Sequence, residues 1–230
     1  MKPTIQDLHE SGQYRLVESF KIDDMTQFLA RELGMVPANK SGIDQVTPKT
    51  TSQNLKKWVR FALIMGLSVG IGWLIGITIT KLVRSTGIGT LAGGSTQFLL
   101  GLLAFIPLIS LHEFIHGIFF KRIGAPSVGY GWSWKGMMAY AYAQNYVMNL
   151  REVAYVAVMP FLFITSALLI AWSIWPQFAV AWATLLFIHT FGCIGDFVLI
   201  NFWRKNQHRQ MFTYDDVDNE SRTYFFERVS

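Results

Sequence analysis

The sequence predicts an all-α polytopic membrane protein: four transmembrane helices with a short membrane-surface β-hairpin between the second and third. Three observations predict it. Of the 230 residues, 51% are apolar and 15% charged, whereas ordinary soluble domains carry about 25% charged residues. Acids and bases are missing from Phe61–Thr80, Ser85–Phe120 and Val153–Trp203, apart from Glu113 and Asp196, and each stretch is at least as long as the roughly 20 apolar residues that span a bilayer. Finally, Lys and Arg alternate from flank to flank in the manner that sets topology.

The net charge is +5. No Lys/Arg cluster falls on a soluble module, so nucleic acid is excluded as a partner and the basic excess is topological. The expected partners are the lipid bilayer and a peptide or membrane-protein substrate. Cys193 is the one cysteine, so no disulfide framework can form. The first apolar run begins at Phe61, too late for a cleaved secretory signal.

Residues 1–57 read as a cytosolic N-terminal segment and linker. Asp23 and Asp24 ahead of Met25, Phe28, Leu29 and Leu33 look like a cap and a short amphipathic helix. The membrane domain is expected over 58–203, and 204–230 as a cytosolic tail. Span one, about Phe61–Ile79, carries Gly66, Gly70, Gly72 and Gly76, a small-residue face for helix packing. Span two covers about Gln97–Phe120. The third stretch is long enough for two crossings, Val153–Trp175 and Phe178–Trp203, reversing at Trp175-Pro176-Gln177, because proline lacks the amide donor a helix interior needs.

Lys49, Lys56, Lys57 and Arg60 precede span one, and Lys81 and Arg84 follow it. Lys121, Arg122, Lys135 and Arg151 lie between spans two and three, none lie between three and four, and Arg204, Lys205 and Arg209 follow span four. A multi-pass protein of the cell membrane with both termini cytoplasmic is expected. In the central loop, Val128, Tyr130, Trp132 and Trp134, then Met138, Tyr140 and Tyr142, alternate with small residues around Lys135-Gly136. Period-two alternation about a turn signal predicts a hairpin.

Span two contains His112-Glu113-Phe114-Ile115-His116. On a helix, positions four apart differ by about 40° around the axis and about 6 Å along it, so both imidazoles can reach one ion while Glu113 takes a proton from water. Ionisable groups in hydrocarbon are costly, and so point to function. A catalytic zinc takes a third protein ligand. Counting back from Lys121 and Arg204 at about 1.5 Å per residue puts His116, His112 and Asp196 roughly 7, 14 and 12 Å below the same boundary. Asp196 is the leading candidate. His189, about 10 Å deeper on the same face, and Cys193, a soft donor three residues away, are alternatives that suit supporting positions better, and Glu152 lies at the boundary.

These residues, with REVAYVAVMPFLF over 151–163 and GCIGDFVL over 192–199, resemble the core of site-2-type intramembrane metalloproteases. The chain resembles still more closely a bacterial family of membrane zincin peptidases of unassigned function. The resemblance covers about 101–203. It implies Zn2+ held by His112, His116 and Asp196, Glu113 as general base, and an extended substrate paired with the hairpin around Tyr130, Trp132, Trp134, Tyr140 and Tyr142. Gly195 precedes Asp196 where the site-2 pattern has glycine after it, and the glycine-proline of span three appears as Met159-Pro160. The expected activity is hydrolysis of peptide bonds in membrane-associated substrates near the cytoplasmic face. A divalent-metal transporter and a non-catalytic metal-binding membrane protein are the alternatives.

Overall fold

The computed structural model describes residues 2–35 and 94–229. Span one and the linker therefore lie outside the described residues. The chain divides into two compact units, one of Met1–Ile43, Ile109–Phe161 and Cys193–Ser230, the other of Asp44–Leu108 and Leu162–Gly192.

In the first unit, the N-terminal segment begins with α1 (Ile5–Glu10), whose Thr4 and Asp7 cap each other reciprocally. Next come β1 (Tyr14–Lys21), a 3-10 turn and α2 (Met25–Glu32). The amphipathic helix forms where its apolar spacing puts it, but Asp24 does not cap it by side chain. Its carboxylate turns instead to Lys135 Nζ at 2.5 Å and Gln27 Nε2 at 3.3 Å.

Two apolar helices, α3 (Gly94–Arg122) and α4 (Leu150–Ile174), are long enough to cross a membrane. Pro107 and Pro160 sit inside them without ending them. Between these helices lie β2 (Val128–Ser133), β3 (Met138–Ala143) and the short β4 (Met148–Asn149). β2 and β3 pair antiparallel from Val128↔Ala143 to Ser133↔Met138. The turn closes through Met137, at φ 48°.

The span expected over Phe178–Trp203 is not one continuous helix. It is two helices, α5 (Ala179–Gly192) and α6 (Ile194–Lys205), broken at Cys193 between Gly192 and Gly195. Glycine pairs are a common cause of such breaks. Among the described residues, the helices long and apolar enough to cross a membrane therefore number two, or three if the broken pair counts as one span. In the second unit Gln97, 1% exposed, ties α3 to the turn before α5: its amide donates to Gln177 O and accepts from Val180 N.

The all-α expectation is also corrected. Beyond α6 come β5 (Met211–Asp216), α7 (Val217–Glu220) and β6 (Arg222–Arg228). An antiparallel sheet of order β1-β6-β5-β4 joins the N-terminal segment, the central loop and the tail. Phe28 and Phe225 stack, and with Leu150, Phe202 and Met211 they form a core that fixes the start of α4 and the end of α6 against the sheet. Leu8, Val147, Tyr214 and Phe226 form a second core.

Candidate metal centre

His112, Glu113 and His116 occupy one stretch of α3, and Asp196 lies in the first turn of α6, all within the first unit. The structure brings the two histidines and the aspartate together. His112 Nε2 is 3.1 Å from Asp196 Oδ2, His116 Nε2 is 3.3 Å from Asp196 Oδ1, and the two Nε2 atoms are 3.1 Å apart. His116 and Asp196 are buried and His112 is half-buried.

The other ring nitrogens turn outward. His116 Nδ1 lies 3.2 Å from the carbonyl of Val156 on α4, to which its N–H donates, leaving Nε2 as an acceptor facing Asp196. His112 Nδ1 faces the fully buried Sγ of Cys193 at 4.0 Å. A backbone or soft partner on one nitrogen fixes the tautomer that exposes the other to a cation.

A tetrahedral zinc with bonds of about 2.0–2.1 Å would hold its ligand atoms roughly 3.3 Å apart. The spacings here fit that polyhedron, and the donor set, two imidazoles and a carboxylate, is one that catalytic zinc sites use. His112, His116 and Asp196 are thus a group that could hold one metal ion.

Glu113 lies within electrostatic reach of all three, and its carboxylate accepts from the backbone N–H of Ala141 on β3. Tyr130, on the neighbouring strand, packs its phenol over Gly117, one turn along the helix face from Glu113. A Cβ at Gly117 would occupy the same space as the phenol, so only glycine admits this approach.

Of the other expected substrate-binding residues, Trp132 and Trp134 stand near the hairpin tip, Trp134 84% exposed. Tyr140 and Tyr142 lie over Gly131 and Gly129, and Tyr142 donates to Asp218 at 2.6 Å. They support the hairpin and are not gathered around His112 and His116. His189 is buried on α5 in the second unit. Glu152, weighed as a ligand, caps α4 reciprocally with Asn149 and pairs with Lys2 at 2.6 Å.

Two partners escaped the sequence reading because they are backbone groups, the Val156 carbonyl and the Ala141 amide. Gly117, directly after the motif, was the available signal for the close approach of the hairpin.

Residues 105–210 match the model of the family described as "Putative zincin peptidase". That stretch, under half of the chain, runs from α3 through the hairpin, α4 and α6, and is similar to this metallopeptidase family. No curated protein and no solved structure matches the chain.

Proposed function

We propose that the protein is an integral-membrane zinc metallopeptidase that cleaves membrane-associated substrates near the cytoplasmic face. The observation that carries this reading is the convergence of His112, His116 and Asp196 beside Glu113, within a stretch matching a zincin family. Zinc held by the three side chains would polarise the scissile carbonyl and make a water nucleophilic near neutral pH. Glu113 takes the proton of the attacking water and passes it to the leaving amine nitrogen. Val156, through its carbonyl, and Cys193 keep the two imidazoles turned towards the ion.

An extended substrate pairs with the outer edge of β2, along Tyr130–Trp134, since β3 on its other side is engaged through Ala141 by Glu113. Strand addition satisfies the backbone of an unwound segment, which a helix would hide in its own hydrogen bonds. Trp132 and Trp134 at the hairpin's exposed end suit a bilayer interface, where amphipathic aromatics accumulate.

Exposed apolar side chains such as Leu103 and Ile106, 64% and 66% accessible, favour lipid contact for α3. The pairing of β1 with β6 supports termini on one side of the membrane, since strands of one sheet share a compartment.

The test is Glu113→Gln with metal content measured alongside. The expected result is retained zinc with loss of cleavage of a membrane-embedded substrate in detergent. Unchanged cleavage at unchanged zinc content overturns the reading.

A further inference from the structure

We propose that the acidic segment Asp215–Asp218 is a positioning clamp for β3, and that Asp215 sets where the Ala141 amide meets Glu113. The proposal rests on the reading of the hairpin, backed by β3, as the element that receives substrate. Along β3, alternate amides face β2 and the outer edge. Gln144 N donates to Ser127 O at 3.2 Å, and with the hairpin register this turns the amides of Ala139, Ala141 and Ala143 outward. The Ala141 amide goes to Glu113, and the Ala143 amide goes to the carboxylate of Asp215. The two contacts are one strand repeat apart, about 7 Å.

The hold extends over four consecutive residues, Tyr142 to Asn145. The Asp215 carboxylate also accepts from Thr223 Oγ1 at 2.7 Å, and its carbonyl accepts from Asn145 N at 2.8 Å. Gln144 donates to Asp216 Oδ1 at 2.7 Å and accepts from Val217 N and Asp218 N at 3.0 and 3.2 Å. Tyr142 donates to Asp218. At the other end, Asp23 accepts from Ser133 at 2.6 Å and Asp24 pairs with Lys135. The edge beside Glu113 is held at both ends.

A carboxylate is a costly choice here. Burial pushes the Asp215 carboxyl up to about 6, against the pull of Thr223 and Ala143. The charged groups around it are engaged elsewhere: Asp216 with Gln144 and Asn219, Asp218 with Tyr142, Glu220 with Tyr224, and Arg222 of β6 with Ser19. Asparagine would make both hydrogen bonds without that cost. What ionised Asp215 adds is a stronger, charge-assisted grip on the Ala143 amide, which is the property a positioning residue needs.

Hydrogen exchange on the full chain in detergent at pH 7.5 tests the clamp, read by mass spectrometry. In Asp215→Ala, exchange over residues 139–145 is expected to speed about tenfold, the loss of one charge-assisted hydrogen bond, with β1 and β6 within about twofold of wild type. Asp215→Asn, which keeps an acceptor but not the charge, should recover only part of the protection. Unchanged exchange over 139–145 in Asp215→Ala, or equal acceleration throughout the sheet, overturns the proposal. Should Asp215→Ala not fold, Tyr142→Phe removes only the bond to Asp218, and an unaltered 139–145 segment there overturns it as well.

With a cleavable peptide, Asp215→Ala should raise KM about tenfold and leave kcat within about twofold, because strand pairing is shared by ground and transition states. A Glu113→Gln protein that still cleaves would sink the peptidase reading while the exchange data continued to decide the clamp.

Discussion

His116 donates through Nδ1 to the carbonyl of Val156, 3.2 Å away on α4. That bond ties a side chain of one apolar helix to the backbone of another and aims the remaining nitrogen at Asp196 on a third, 3.3 Å from Oδ1.

Metal retention should follow from this arrangement. Wild-type protein is expected to bind one zinc per chain, and His116→Ala or Asp196→Ala should each weaken zinc by at least about 100-fold, since supporting partners alone are worth 10–100-fold. Elemental analysis after dialysis against a graded chelator measures it; full occupancy in Asp196→Ala would exclude that ligand set.

Glu113→Gln should bind zinc like wild type and lose at least about 100-fold in kcat, the usual scale for a general base. Steady-state kinetics beside elemental analysis separate this outcome from a ligand defect.

Gly117→Ala puts a methyl group into the space of the Tyr130 phenol. Overpacking of this kind costs about 1–3 kcal/mol. Thermal unfolding in detergent should show the loss, and the double substitution Gly117→Ala/Tyr130→Ala should regain part of it. Additive losses would mean that the two residues do not touch.

Two carboxylates outside the apolar helices should give opposite pH signatures. Arg209 and Arg15 hold the Glu227 carboxyl down at about 2, from an ordinary value of 4.5. Its stabilisation is present above about pH 4.5 and is lost as pH falls towards 2, so Glu227→Gln should cost about 1 kcal/mol at pH 7 and nothing at pH 2.

Asp215, raised to about 6 from 3.8, acts in reverse: the folded state binds the proton more tightly, so its burden is full above pH 6 and disappears as pH falls towards 4. Asp215→Asn should therefore stabilise the fold by at most about 3 kcal/mol at pH 8 and leave stability unchanged at pH 4. Denaturant titrations at the two pH values decide it.

Much of the site was legible because membrane sequences punish charge. Glu113 and Asp196 stood out as the acids in otherwise uncharged stretches, and counting residues from the basic flanks put Asp196 at the depth of His112 and His116. Alternation around Lys135-Gly136 was sufficient for β2 and β3, since strand periodicity is local. The sheet was not legible: β1 pairs with β6 across some 200 residues, and short strands rich in charge, such as the one ending in Asp215-Asp216, lack a strong apolar alternation. The break at Cys193 carried a signal in Gly192 and Gly195, but glycine in an apolar helix serves close packing as readily as a bend. Glu152 sat near enough to the boundary to be weighed as a ligand; its partners, Asn149 and Lys2, are a local cap and a distant residue, and only the cap could be read from spacing.

The pairing of β1 with β6 also sets an order of assembly. β1 is made before every apolar helix and β6 after all of them, so at a synthesis rate of about 5–20 residues per second the first strand waits roughly 10–40 seconds for its partner. The sheet, and with it the acidic grip on the hairpin, can close only once α3 to α6 have been translated. A nascent chain thus has its histidines and Glu113 in place before β3 is aligned beside them.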